Sequence, residues 1–272
     1  MQLTMQINGH NIYLEQIGAK DGPVVILLHH GLGAVKAWSR QVTALVEAGY
    51  RVLAYDRWGY GRSDARHSLD LPAFATDLDD LIDLMDQQDI QQAALVGHSD
   101  GGTIALYFAM QQPQRVSCLI TIAAHIYLEP KMETGIREVR RAFETDERFR
   151  KGLRSLHGER FEDVFHNWFD GWRRIDPTGW DMRPTLIKVS CPALIVQGVD
   201  DEYATPQHAI DIAGSIAGAE LWLVYKAKHM LPQENYAEFN PKIIDFLQAH
   251  SQLSLKGRRE NAAGATLCLA KS

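Results

Sequence analysis

The chain has 272 residues, 46% hydrophobic and 23% charged, the balance of a globular chain that buries its core as one domain; disordered, collagen-like and coiled-coil chains are excluded. Its 28 Lys and Arg against 34 Asp and Glu give a formal net charge of −6, so no positive excess exists to hold a phosphate backbone and nucleic acid is not an expected partner. The longest apolar runs, such as Val24 to Leu28, fall far short of the ~20 residues of a membrane span, the start of the chain is not basic, and Cys118, Cys191 and Cys268 are odd in number and lack a CxxC pair; a chain neither exported nor anchored, in a reducing cytoplasm, is expected.

In chain order, two strands of alternating polarity, about Leu3 to Ile7 and Ile12 to Ile17, precede buried-type runs at Val24 to Leu28, Arg51 to Tyr55, Ala93 to Val96, Val116 to Ile122, Ala193 to Val196 and Leu221 to Val224. Between them lie helical stretches at Val35 to Ala48, Ala73 to Gln87, Gly101 to Gln112, Pro206 to Ile216 and Tyr236 to His250. This alternation predicts an α/β fold: a mostly parallel sheet of about eight strands with helices on its faces. In the second helix Phe74, Leu78, Leu81, Ile82 and Met85 recur at helical spacing, and Asp77, Asp80, Asp83 and Asp86 are read as a solvated set around the rest of it. From His125 to Lys188 the strand rhythm stops, and clustered aromatics with charged helix-formers predict an inserted helical cap over residues 125–188, some of whose aromatics line a pocket beneath it. The sheet domain then comprises 1–124 and 189–250, and the aperiodic residues 251–272 read as a loosely ordered tail.

The chemistry centres on Gly97-His98-Ser99-Asp100-Gly101, which follows a strand and opens a helix. That is the strand, turn and helix context of a nucleophile elbow, in which glycines let a sharp turn project the serine hydroxyl from the sheet. The helix N-terminus below it favours a developing oxyanion. A serine hydroxyl is weakly nucleophilic at neutral pH, so it needs a histidine base and an orienting carboxylate, in the chain order serine, acid, histidine. The strand ending at Gly198 leads into Val199-Asp200-Asp201-Glu202, and the next into Lys226-Ala227-Lys228-His229. His229 is the candidate base; spacing alone leaves Asp200 and Asp201 in competition. For the oxyanion, the backbone N–H of Asp100 and that of Leu32, in His29-His30-Gly31-Leu32-Gly33, are the candidate donors. His29 and His30 lack metal-ligand spacing and read as loop residues beside that hole. Asp56 to Ser63 fits no phosphate-binding pattern and reads as a turn.

His30 to Gly33, Asp56-Arg57-Trp58-Gly59-Tyr60-Gly61-Arg62-Ser63, Gly97 to Gly102, Gly198 to Asp201 and His229 together resemble the α/β-hydrolase superfamily over roughly Val24 to Leu247. The Ser-Asp-Gly-Gly elbow, His125-Ile126-Tyr127, Cys191 to Val196 and Glu238-Phe239-Asn240 look like its biphenyl hydrolase-like group of serine hydrolases, although His98 and the His29-His30 pair depart from that group's pattern. The superfamily resemblance implies a catalytic triad of Ser99, Asp201 and His229; the group resemblance implies that Asp100 binds the α-ammonium of an amino-acid ester. Ser99 argues against epoxide hydrolases and haloalkane dehalogenases, which place an aspartate there. The expectation is a cofactor-free, metal-free serine hydrolase of small to medium esters. A carbon–carbon bond hydrolase or lactonase on the same triad, and a small-molecule receptor with a slow triad, are the alternatives.

Overall fold

The computed structural model describes residues 1–176 and 178–250; the expected tail, 251–272, and Cys268 lie outside the described residues. The eight strands are β1 (Gln2–Ile7), β2 (His10–Ile17), β3 (Val24–Leu28), β4 (Arg51–Tyr55), β5 (Ala93–His98), β6 (Val116–Ile122), β7 (Ala193–Gly198) and β8 (Glu220–Val224). They form one sheet in the order β1-β2-β4-β3-β5-β6-β7-β8. The first two strands pair antiparallel with each other and β2 pairs antiparallel with β4, whereas β4, β3, β5, β6, β7 and β8 run parallel.

The helices are α1 (Ser39–Glu47), α2 (Ala75–Gln87), α3 (Asp100–Gln111), α4 (Pro130–Thr145), α5 (Glu147–His157), α6 (Phe161–Arg173), α7 (Gln207–Ser215), the short α8 (Leu231–Glu234) and α9 (Tyr236–His250). Side chains of a strand point alternately to its two faces, so an unbroken apolar run signals that both are covered. Accordingly Ile26 and Leu28 pack in one cluster with Leu78, Leu81, Ile104 and Ile212 from α2, α3 and α7. Their neighbours Val25 and Leu27 pack on the opposite face with Val42 and Leu45 of α1 and Phe239 and Ile243 of α9. Burying each such side chain contributes about 1.5–3 kcal/mol.

Helices α4 to α6 leave the sheet between β6 and β7 and carry a core of their own. Pro130 opens α4, where a missing N–H costs nothing. Asp146 caps α5 by accepting from the N–H groups of Arg148 at 2.8 Å and Phe149 at 3.3 Å. Val139, Phe143, Leu153, Phe161, Phe165 and Phe169 cluster with Leu32, Tyr60 and Leu69 from loops at the edge of the sheet. Phe143 and Phe165 stack with their rings 3.7 Å apart.

One sequence expectation is corrected here. Asp77 and Asp80 are not solvated; each is 2% exposed. Asp77 bridges two guanidinium groups, Arg57 at 3.0 Å and Arg66 at 2.8 Å. Asp80 accepts from Asn8 at 3.0 Å and meets the His10 ring at 2.9 Å. Their partners come from β2, the hairpin turn and the loop after β4, out of sight of helical periodicity. Asp86 stays exposed. No helix among the described residues is long and apolar enough to cross a membrane.

Candidate active site

Because the central strands are parallel, the loops that follow β3, β5, β6, β7 and β8 all emerge at one edge of the sheet. The strand order reverses beside β3, which pairs with β4 on one side and β5 on the other. Such a switch point opens a crevice at the strand ends. Ser99 stands there in a strained backbone conformation, φ 55° and ψ −119°, a cost of order 1–3 kcal/mol that the surroundings must hold in place. They do so through backbone: Ser99 N–H donates to Ile122 O at 2.8 Å, and the Ser99 carbonyl accepts from Gly102 at 2.8 Å and Thr103 at 3.0 Å. Glycine is required at both flanks. A Cβ on Gly97 would sit 2.7 Å from Gly102 N, and one on Gly101 2.8 Å from His29 O.

Ser99, His229, Asp100 and Leu32 all line one cavity of about 480 Å³ beneath the inserted helices. His229 Nδ1 lies 2.8 Å from Asp201 Oδ2, so with an ionised carboxylate the ring donates from Nδ1 and leaves Nε2 as the basic nitrogen. Asp201 is 0% exposed and its lone pairs are met in full: Gln197 Nε2 donates to Oδ2 at 2.7 Å, and the N–H groups of Tyr203 and Ala204 donate to Oδ1 at 2.8 and 3.2 Å. Burial pushes this carboxyl up, but the His229 imidazole and the Tyr203 N–H outweigh burial and hold it below the usual carboxylate range. Asp200 is exposed, so geometry separates the two neighbours that spacing could not. Ser99 Oγ makes no hydrogen bond to His229 among the described residues.

Leu32 and Asp100, whose N–H groups are the donors expected from sequence, both line the cavity that Ser99 lines. Leu32 sits at φ 61°, and neither its N–H nor that of Asp100, at the head of α3, has a protein acceptor among the described residues. Sequence reasoning missed what fixes Leu32. His157, at the end of α5, accepts from Gly61 N–H at Nδ1 (2.9 Å), so Nε2 carries the proton and donates to Leu32 O at 3.0 Å. His98 Nε2 similarly meets the His229 carbonyl at 2.9 Å. A lone histidine in a helix gives no sequence signal for such a tether.

A family model for the alpha/beta hydrolase fold matches residues 23–162. Serine hydrolase BPHL of Homo sapiens is 34% identical over 251 residues, spanning 89% of this chain and 84% of that protein. The 2-hydroxy-6-oxo-6-phenylhexa-2,4-dienoate hydrolase of Comamonas testosteroni is 30% identical over 259 residues, spanning 85% and 89%. Among solved structures, the enol-lactonase from Burkholderia xenovorans superposes with a TM-score of 0.75 at 22% identity, covering 90% of this chain and all of that one. The chain belongs to the α/β-hydrolase family.

Within this α/β hydrolase, Asp100 is 1% exposed and its Oδ2 has no hydrogen-bond partner among the described residues. Arg57 Nη2 stands 3.6 Å away, near enough for an ion pair and too far for a hydrogen bond. Burial raises the Asp100 carboxyl and Arg57 opposes the rise. Arg57 is shared with Asp77, so Asp100 keeps a carboxylate oxygen that no protein donor satisfies. His29 accepts from Arg57 N–H at Nε2 (3.0 Å), so its proton lies on Nδ1 and goes to His30 O at 2.8 Å. Both ring nitrogens serve the loop, the role expected from sequence. His30 meets Gly31 O at 2.6 Å, and burial lowers its pKa to about 4.

Proposed function

We propose that this hydrolase cleaves esters of small to medium size, α-amino-acid esters among them, through an acyl-enzyme on Ser99. The supporting observation is the 2.8 Å bond that sets His229 Nδ1 against Asp201 and turns Nε2 into a base on the wall of the Ser99 cavity. His229 Nε2 takes the Ser99 proton as the oxygen attacks the ester carbonyl. The contact between the two, open in the free protein, closes in the substrate complex. Negative charge collects on the carbonyl oxygen between the N–H groups of Leu32 and Asp100, each donor worth about 3 kcal/mol of barrier. Collapse expels the alcohol, which takes its proton from His229. Water, deprotonated by the same imidazole, then attacks the acyl-enzyme and frees the acid.

The buried, under-satisfied Asp100 carboxylate beside the nucleophile supports an ammonium on the acyl side, as does the resemblance to the biphenyl hydrolase-like group. An –NH3⁺ supplies the donors that Oδ2 lacks, at a place where low exposure strengthens the pairing. A fluorophosphonate probe should label Ser99 of the wild type and not the Ser99→Ala variant; a correctly folded wild type that stays unlabelled would falsify the nucleophile. Asp100→Asn should lower kcat/KM for an ester with a free α-amine at least tenfold more than for its N-acetylated counterpart. Equal losses remove the ammonium role. The 30% identity to the Comamonas testosteroni hydrolase favours carbon–carbon cleavage as a second reading, tested by offering 2-hydroxy-6-oxo-6-phenylhexa-2,4-dienoate itself to the wild type and to Ser99→Ala.

A further inference from the structure

Two residues that line the cavity beneath the inserted helices carry buried polar atoms that the ester reaction leaves unused. His125, in the loop after β6, lines it at 5% exposure, and neither of its ring nitrogens has a hydrogen-bond partner among the described residues. Trp172 of α6 lines the same cavity, its Nε1 also unpartnered, and the two rings meet edge to face at 5.7 Å. Buried polar atoms are nearly always paired in native proteins, so three unpaired in one corner of a cavity are atoms reserved for a ligand.

The corner is held in place by neighbours that do not satisfy it. Thr103 Oγ1 donates to His125 O at 2.7 Å and accepts from His125 N–H at 3.2 Å, which fixes the backbone there. His208 packs edge-on to His125 at 5.7 Å. Its Nδ1 accepts from Ile126 N–H at 3.2 Å, so its proton lies on Nε2, 3.5 Å from Glu129. Burial, reinforced by His208 and His229, holds the His125 pKa well below the ordinary imidazole value. A neutral ring offers one donor and one acceptor, and Trp172 adds a second donor.

The His125 ring is parallel to that of His229, within 4° and 5.9 Å between centres. On the ester-hydrolase reading His229 hands a proton to the departing alcohol, and the closeness of His125 to that ring is the ground for setting the leaving group at this corner, with the carbonyl and the acyl part at Leu32 and Asp100. We infer that His125 and Trp172 form a leaving-group subsite for an alcohol that carries a second hydroxyl close to the ester oxygen. That hydroxyl accepts from one ring N–H and donates to the imidazole nitrogen, whereas an alkyl alcohol leaves the donors and the acceptor buried and unmet. The inference rests on the ester-hydrolase reading for the sides of Ser99 and adds to it the chemical class of the alcohol.

The test separates the two. The 2-hydroxyethyl and n-propyl esters of phenylalanine differ only in a terminal hydroxyl or methyl, and their dissociation constants for Ser99→Ala protein, read by titration calorimetry, need no turnover. The hydroxylated ester should bind Ser99→Ala about tenfold more tightly than the propyl ester. That ratio should fall to about one in Ser99→Ala/His125→Phe and recover in part in Ser99→Ala/His125→Asn, which restores a donor and an acceptor and keeps the comparison open if the Phe variant folds poorly. Equal affinities in Ser99→Ala, or an advantage that survives both His125 replacements, overturn the subsite. A folded wild type that hydrolyses neither ester would instead count against the function of Ser99, and the binding ratio would still be read.

Discussion

Gly101 lies where the head of α3 passes the end of β3, and Gly101→Ala tests whether that crossing sets the catalytic geometry. The new Cβ would stand 2.6 Å from the Leu28 carbonyl carbon and 2.8 Å from His29 O, and closer still to Leu28 O. All three are backbone atoms, so no side-chain rotation relieves the clash. Ordinary contact begins near 3.4 Å; the carbonyl carbon alone demands about 0.8 Å and Leu28 O demands more, so α3 and the loop leading to Leu32 must part by about 1 Å. Overpacking of this kind costs about 1–3 kcal/mol, and against a rigid backbone the upper part of that range applies. For a domain of this size the loss lowers Tm by about 4–6 °C. The same displacement carries the Asp100 N–H away from the Leu32 N–H, and a misplacement approaching 1 Å costs roughly 10²-fold in rate. The expected outcome is a kcat on p-nitrophenyl acetate lower by about two orders of magnitude, with a far-UV circular dichroism spectrum unchanged at 25 °C. Gly214→Ala in α7 is the control: its Cβ meets nothing within 4 Å, and it should gain about 0.5–1 kcal/mol. A Gly101→Ala protein with wild-type Tm and a kcat within twofold of wild type would refute the reasoning.

Three further outcomes follow from other parts of the molecule. Asp201→Asn keeps the acceptor for the Tyr203 and Ala204 N–H groups but turns an NH2 toward His229 Nδ1, favouring the wrong tautomer; kcat should fall by about 10⁴ with folding intact, and a loss below tenfold would exclude Asp201 from the orienting role. Burial lowers the pKa of His29, His30, His98, His125, His157 and His208, to about 4 for His30 and His208. The folded state therefore refuses protons that the unfolded chain accepts below about pH 6.5, and stability is lost as the pH falls through that value. The upward-shifted Asp56, Asp80 and Asp100 take up protons in the folded state and offset part of this. The urea midpoint should drop steeply from pH 7 to 5.5, and a flat profile would show these rings charging freely in the native state. Asp77→Asn leaves the buried guanidinium groups of Arg57 and Arg66 short of a counter-charge and should cost about 3–5 kcal/mol by chemical unfolding; a change under 1 kcal/mol would mean that Asp70, which pairs with Arg66, and Asp100, beside Arg57, compensate fully.

What could be read from the chain, and what could not, divides along a physical line. The elbow was legible because everything it demands is local: an apolar strand, small residues on both sides of Ser99, and a helix that starts at once. The strand runs were legible for the same reason, since two covered faces write an unbroken apolar stretch; each lies within two residues of its expected bounds. The first helix shows where locality begins to fail, because Val35–Trp38 winds as a 3-10 turn before α1 starts at Ser39.

Residues whose role is set by a distant partner were not legible. Asp77 and Asp80 look like surface carboxylates on a periodicity argument because periodicity sees only their own helix; burial becomes affordable only once Arg57, Arg66, His10 and Asn8 arrive from elsewhere in the chain. His157 is the same case at the site, a helical histidine that binds the Gly61 N–H and the Leu32 carbonyl at once. The inserted helices are thereby tied to one of the two backbone donors by a hydrogen bond and not by apolar contact alone. A change in α5 that withdraws the His157 ring therefore reaches Leu32 directly, and on the proposed role of the Leu32 N–H, variation in the inserted helices should alter the rate of the chemistry as well as the shape of the pocket.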